Sequence, residues 1–149
     1  MDIQAILEGN IDLRRSAQRA LCKRSFYHFL VMFWDSVVTE RLVENWHIRW
    51  LCDLLQGVGE RVARREAAEY SYYVVNVPPG SSKSTICSIM YPIWCWVIDP
   101  TQRFICSSYA EAVSVDLANK AKRLLDSDLF RELFPEFRLK REGVMTVGS

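Results

Sequence analysis

The sequence lacks the usual marks of secreted, disulfide-bonded and membrane-spanning proteins. Its first four residues include an acid and no basic residue, and no apolar stretch with a small-residue cleavage site follows them, which argues against a secretory signal. The longest uncharged apolar run, 89–98, is about half of the ~20 residues that a membrane-spanning helix needs, and it contains Pro92. The five cysteines are odd in number and form no C-x-x-C pair, which argues against a disulfide framework and a zinc site. We therefore expect reduced thiols that act as small core hydrophobes in a cytosolic protein.

The sequence also lacks an excess of charge of one sign. Its 19 lysines and arginines against 18 acids leave a net charge of +1, so the chain as a whole gives no electrostatic reason to bind nucleic acid or an anionic membrane. One local basic cluster could contact DNA phosphates, although a single basic helix face is usually only solvated. The cluster consists of Arg14, Arg15, Arg19, Lys23 and Arg24. With 149 residues, half of them apolar, the chain is long enough to form a core of its own.

Residues 1–70 are predicted to form a helical amino-terminal region. Ser25 leads into a dense apolar run, 26–34, which is typical of a helix buried on most faces. A second helix face is indicated by the spacing of Val43, His47, Trp50, Leu51, Leu54, Leu55 and Val58. Gly57 and Gly59 are interpreted as the end of that helix, and the charged stretch 61–69 is expected to be solvated.

Residues 71–149 are predicted to alternate between strands and helices. The run 72–77 is β-branched and aromatic, which is typical of a strand buried on both faces of a parallel sheet, and 103–107 is read as a second strand. Ser108 and Glu111 have the spacing of a capping box that opens a helix. These patterns predict an α/β fold, a P-loop NTPase-type parallel sheet flanked by helices, incomplete in this chain and preceded by the helical region.

A phosphate-loop motif lies directly after the first predicted strand. The segment Pro78–Thr85 stands between that strand and an uncharged apolar stretch, the context that a nucleotide-binding P-loop requires. Backbone amides at a helix start hold phosphate oxygens, Lys83 reaches the terminal phosphates, and the Ser84 hydroxyl ligates magnesium. The usual pattern G-x-x-x-x-G-K-[ST] has glycine where this chain has Val77 and Ser82. The alternative is a plain turn followed by a solvated first helical turn.

No acid for ATP hydrolysis is evident in the sequence. A P-loop ATPase needs a strand-terminal acid for magnesium and a second acid that activates water. Asp99 follows apolar residues but is better read as the exit of the P-loop helix, and Asp35 lies in a helical stretch. The sequence therefore predicts phosphate binding without a hydrolytic acid in these residues.

The order of these features resembles the amino-terminal ATPase region of the large terminase subunit of tailed bacteriophages. The resemblance covers nearly the whole chain, and its motifs are Arg24–Phe29, Phe33-Trp34, Asn45–Ile48, Val77–Ser84, Pro92–Trp94, Asp99-Pro100, Ser108-Tyr109 and Leu133–Pro135. In that family a P-loop ATPase is joined to a ribonuclease H-like nuclease that cuts concatemeric DNA. The resemblance implies a chain that helps to drive DNA packaging into proheads, in the host bacterial cytoplasm. It also implies double-stranded DNA, the portal protein, the small terminase subunit and other copies of the chain in a ring as partners, and no membrane.

The resemblance also implies roles for individual residues. ATP phosphates and Mg2+ would be held by Pro79, Gly80, Ser81, Ser82, Lys83, Ser84 and Thr85, with Ser84 as the metal ligand. Trp46 and His47 would lie on the adenine side, although both residue types are as often core or interface residues. Many terminases carry arginine where this chain has Gly80, so Arg123 or Arg103 is a candidate for the missing charge, unless each is only a solvated surface residue. The remaining acids of the ATPase and those of the nuclease would follow the segment 144–149.

Two other interpretations stay open. The chain could be another P-loop NTPase such as a helicase-like ATPase, whereas a kinase is disfavoured because the stretch 104–109 lacks the expected acceptor-binding acids. It could also be a truncated prophage remnant or interaction module, with a vestigial loop and the aromatic run 26–34 as a docking face. Magnesium-dependent ATP binding would separate the terminase interpretation from the truncated remnant or interaction module.

Overall fold

The computed structural model describes residues 3–139 and 145–147, and the side chains of residues 9–137. Most of these residues are helical. The α-helices are α1 (Ile3–Arg24), α2 (Phe26–Phe33), α3 (Trp46–Ala63), α4 (Tyr91–Ile98), α5 (Glu111–Asp126) and α6 (Asp128–Leu133). A 3-10 turn (Trp34–Ser36) follows α2, a π-helix (Thr85–Met90) runs into α4, and the strands are β1 (Phe137–Leu139) and β2 (Met145–Val147).

The apolar helix α2 lies at the centre of the core. Its N-terminus is capped by Ser25, whose hydroxyl accepts a hydrogen bond from the His28 amide at 3.2 Å, a common way to satisfy an unpaired helix amide. Phe26, Phe29 and Phe33 are fully buried. They belong to one hydrophobic cluster that also contains residues of the π-helix, α4 and α6. The predicted buried helix at 26–34 is therefore confirmed, and both predicted parts of the chain contribute to one core.

Helix α3 continues through the two glycines that were expected to end it. A Cβ atom added to Gly59 would lie 3.0 Å from Cys95 Sγ and 3.1 Å from Trp94 Cζ3, whereas one added to Gly57 would meet nothing within 4 Å. Because Gly59 has no side chain, α3 and α4 can approach each other closely at this position. The prediction that α3 ends at these glycines was wrong, because Gly59 instead permits close packing of α3 against α4. Trp50 was expected on the buried face, but its side chain is half exposed.

Polar side chains fix how the first two helices join. The Gln56 side-chain oxygen accepts a bond from the Phe26 amide at 2.9 Å, and its amide nitrogen donates to the Arg24 carbonyl at 2.9 Å. The residue therefore satisfies one backbone group on each side of the junction. Farther along α1, Arg19 donates to both carboxylate oxygens of Glu136, at 2.7 and 2.9 Å. This contact attaches α1 to the segment after α6.

The parallel sheet predicted from the sequence is not formed. Among the described residues the only sheet pairs β1 with β2 in antiparallel register, with Arg138 opposite Thr146. The two predicted strands, 72–77 and 103–107, are irregular and make no backbone–backbone hydrogen bonds in the described part of the chain. The first is not buried on both faces, since Tyr72 is 80% exposed. Strand propensity was present, but a strand also needs a neighbour to satisfy its backbone groups, and no described segment supplies one.

The predicted capping box is also absent. Helix α5 begins at Glu111 with Ala110 as its N-cap, and no side chain caps it. Ser108 lies too far upstream to act as the cap. The predicted apolar face of α5 is confirmed, since Leu124 and Leu125 are buried and Leu117 packs against the core.

Four of the five cysteines behave as expected of core thiols, and one does not. Burial raises the pKa of Cys22, Cys52 and Cys95 to about 12, and Cys87 is half-buried. Cys106 is exposed on the irregular segment that was expected to be a strand. None of these thiols forms a disulfide in the described part of the chain.

No described helix combines the length and apolar character needed to cross a membrane.

Candidate functional site

Two residues of the loop Pro78–Thr85 have positive φ angles. Gly80 has φ +79° and Ser82 has φ +62°. Left-handed residues that alternate with right-handed ones turn successive N–H groups into a concave nest for anions. The loop, with Val77, lines a cavity of about 350 Å3, and none of these nine lining residues carries a carboxylate. The cavity therefore offers backbone amides, hydroxyls and one cation to a ligand.

Ser82 stands where the usual P-loop pattern has its second glycine. Only a few per cent of residues other than glycine have a positive φ, because the side chain crowds the backbone. At this position the chain has serine, and the serine is in the left-handed conformation.

A helix begins at Lys83, within the loop segment Pro78–Thr85, and Lys83 lines the loop cavity. The Ile86 amide donates to the Ser82 carbonyl at 3.0 Å, so Ser82 already accepts the first helical bond. Lys83 is exposed, and its Nζ atom lies 3.5 Å from the Val75 carbonyl oxygen. This weak contact leaves the ammonium group available to a phosphate. The helix continues as the π-helix Thr85–Met90. π-Helices are rare in proteins, and those that occur are frequently found at functional sites.

Ser84 is the residue expected to ligate magnesium. Its side chain is exposed at the start of the helix and makes no capping bond, so its hydroxyl is free to coordinate. Mg2+ prefers oxygen ligands and commonly binds through one or two protein groups together with phosphate oxygens and waters. In the described part of the chain no group of three or more histidine, cysteine or acidic side chains could hold a metal ion. A single hydroxyl at the loop cavity fits Mg2+ only where other groups, such as phosphate oxygens and waters, complete the coordination.

A second cavity adjoins the loop. It has a volume of about 320 Å3 and shares Gly80, Ser81 and Ser82 with the first. Its remaining wall comes from the 3-10 turn after α2, the irregular connection to α3 and the first turn of α3. That wall consists of Trp34, Val38, Glu40, Arg41, Val43, Asn45, His47 and Ile48. The two cavities thus meet at the left-handed part of the loop.

The structure separates the two residues that were expected on the adenine side. His47 lines the second cavity, and its Nε2 atom is buried with no hydrogen-bond partner among the described residues. A buried nitrogen without a partner is costly unless a ligand or water satisfies it. Trp46 is 80% exposed and does not line this cavity, although its ring lies edge-on to the His47 ring at 6.1 Å.

The arginines expected to supply a catalytic charge lie elsewhere. Arg123 is exposed on α5 and Arg103 is exposed on the irregular segment 103–107, and neither lines a cavity at the loop. In the basic cluster of α1, Arg19 is held by Glu136 and Arg15 lies 3.1 Å from Glu132. These two arginines serve contacts within the fold.

Two residues of the second cavity were not identified from the sequence. Asn45 is the N-cap of α3, but its side chain makes no capping bond, so its amide is free to face a ligand. Arg41 lies four residues earlier in an irregular segment. Asn45 begins the Asn45–Ile48 motif of the resemblance, but no role was expected of it, and Arg41 belongs to no motif. The only signal is their proximity in sequence to the Trp46-His47 pair.

Comparisons of this chain with protein-family models, with curated proteins and with solved structures found no match.

Proposed function

We propose that the loop Pro78–Thr85 binds the phosphates of ATP, and that the chain is the ATP-binding part of a phage terminase large subunit. The observation that carries the proposal is the left-handed conformation of Ser82. It occurs at the position of the motif where a P-loop needs glycine, directly before the lysine and the start of a helix. Arg65 also has a positive φ, but it lies directly after the end of α3, where a left-handed residue is common, whereas Ser82 lies directly before a helix start, where that explanation does not apply.

The chemistry of the loop supports a triphosphate bound with Mg2+. Backbone amides at the helix start would hold the phosphate oxygens, Lys83 would neutralise the terminal phosphates, and Ser84 would ligate the metal. The second cavity would take the nucleoside, with His47 Nε2 as one partner of its polar groups. Because the cavities share Gly80, Ser81 and Ser82, one molecule could extend through both.

The wider role rests on the resemblance described above. ATP turnover would be coupled to movement of double-stranded DNA into a prohead, with the portal protein, the small subunit and other copies of the chain as partners. The order of the motifs supports this role, from Arg24–Phe29 through the loop to Leu133–Pro135. A helicase-like ATPase would share the loop but has no further support from the geometry.

A second candidate function is a nucleotide-binding module without ATPase activity. It is favoured by the absence of any carboxylate among the nine residues that line the loop cavity. Hydrolysis requires a group that orients or activates water. ATP binding without turnover would support this candidate, whereas turnover at the rate of a packaging motor would exclude it.

Calorimetric titration with ATP and Mg2+ tests the proposal. The Lys83→Ala variant should bind ATP at least about tenfold more weakly, because a charged hydrogen-bond partner of the phosphates is lost. Lys122→Ala is a matched control, since Lys122 is an exposed lysine on α5 without an acidic partner within 4 Å among the described residues. This control should leave ATP affinity unchanged. Equal affinity of wild type and Lys83→Ala would refute the site.

A further inference from the structure

Arg41 is an unpaired cation beside the phosphate loop. It lines the second cavity together with Gly80, Ser81 and Ser82. Its side chain is exposed, and no acidic side chain lies within 4 Å of it among the residues with described side chains. Several arginines of the chain are held in ion pairs, including Arg15, Arg19, Arg49, Arg61, Arg64, Arg65 and Arg131. Arg41 therefore has its full hydrogen-bonding capacity available to a ligand.

The backbone next to Arg41 is held in place by the core. The Trp34 indole nitrogen donates to the Glu40 carbonyl at 2.8 Å, and the Trp34 side chain is buried. This contact fixes the irregular segment against the end of α2. The cavity wall that carries Arg41 is thus anchored to the same core as the helix that follows the loop.

The loop itself contains only one cation, Lys83, for a ligand with several negative charges. Arginine presents a planar fork of donors that matches phosphate oxygens, and it keeps its charge at all physiological pH values. Glu40 also lines the second cavity, and its carboxylate would repel a phosphate. It suits the hydroxyl groups of a sugar better.

We propose that Arg41 is a phosphate-binding residue of this site and contacts the phosphate chain that the loop holds. The assignment rests on the proposed function, since it needs a phosphate in the loop. Arg41, which lies in the connection between α2 and α3, supplies the second positive charge that the loop lacks. Arg123 and Arg103 do not supply it, because neither lines either cavity.

Titration with inorganic tripolyphosphate and, separately, with ATP tests the assignment, both in the presence of Mg2+. Arg41→Ala should weaken the binding of both ligands by roughly tenfold or more, because a charge-assisted bond to phosphate is lost. Arg41→Lys should recover part of this loss. Arg123→Ala is the matched control and should change neither affinity, and Glu40→Gln should not weaken tripolyphosphate binding. Circular dichroism and thermal unfolding of each variant report whether the fold is retained.

The outcomes separate this assignment from the proposed function. If wild type binds both ligands and Arg41→Ala binds them equally well, the role of Arg41 is refuted while the loop site stands. If Arg41→Ala weakens only ATP, Arg41 contacts the nucleoside and the phosphate assignment is wrong. If wild type binds neither ligand, the proposed function fails and this assignment fails with it.

Discussion

Alanine substitution at the two glycines of α3 should have opposite effects on stability. In a helix interior alanine is favoured over glycine by about 1 kcal/mol. At Gly57 nothing lies within 4 Å of an added Cβ atom, so Gly57→Ala should gain most of that amount. For a chain of this size 1 kcal/mol corresponds to a rise in Tm of about 2–4 °C.

Gly59→Ala gains the same helix propensity but adds an atom where there is no room. The new Cβ would lie 3.0 Å from Cys95 Sγ, 3.1 Å from Trp94 Cζ3 and 3.3 Å from the Tyr91 hydroxyl. Trp94 cannot easily move, because it is fully buried and its indole nitrogen donates to the Cys22 carbonyl at 2.9 Å. Overpacking of this kind costs about 1–3 kcal/mol. The net effect should be a loss of up to about 2 kcal/mol after the propensity gain of about 1 kcal/mol.

Thermal and urea unfolding of wild type, Gly57→Ala and Gly59→Ala would measure the difference. We expect the two variants to differ by about 1–3 kcal/mol in the free energy of unfolding, with Gly57→Ala more stable than wild type and Gly59→Ala less stable. A Gly59→Ala protein as stable as Gly57→Ala would show that α3 and α4 do not approach as closely as described. This test of helix packing does not depend on which ligand the chain binds.

Two further substitutions test the loop and the α1 contact. Ser82→Gly removes the left-handed serine, which costs roughly 1–2 kcal/mol, and adds about 0.5–1 kcal/mol of glycine entropy. It should therefore raise Tm slightly without weakening ATP binding, and a lower Tm would contradict the positive φ. Burial raises the pKa of the Glu136 carboxyl, but the Arg19 hydrogen bond, a backbone hydrogen bond and the charges of Arg19 and Lys23 together lower it, so its net pKa lies below the ordinary 4.5. The contact therefore stabilises the fold above about pH 4.5, and this stabilisation is lost as the pH falls below that value. Glu136→Gln should lower the free energy of unfolding by about 1 kcal/mol at neutral pH and should flatten the pH dependence of urea unfolding below pH 4.5. An unchanged pH dependence would argue against a stabilising contact between Arg19 and Glu136.

The helices could be predicted where a local signal and burial coincide. The apolar run 26–34 follows a capping serine, and both features act within a few residues of one another. Gly59 shows the limit of such reasoning, because the same residue type ends helices and permits close helix packing. Only the position of Trp94 and Cys95, more than 30 residues away, decides between these roles.

The sheet could not be predicted because pairing depends on distant segments. The β-branched run 72–77 has the composition of a strand, but composition does not state which neighbour will bond to it. In the loop that follows, the structure shows a positive φ at Gly80 and at Ser82, and phosphate binding by these residues stays a prediction. The second cavity combines 34–48 with 80–82, so the position of Arg41 and Asn45 beside the loop is visible only in three dimensions.

The π-helix Thr85–Met90 affects how this chain should be aligned with others. A π-turn closes its hydrogen bond over one residue more than an α-turn, so it accommodates an additional residue within one helix. A chain with a regular α-helix after its phosphate loop would therefore carry one residue fewer between its lysine and the residue equivalent to Tyr91. An ungapped alignment would place every later position of α4 out of phase by one residue, about 100° around the helix axis. It would match the buried Trp94 to a residue on a different face.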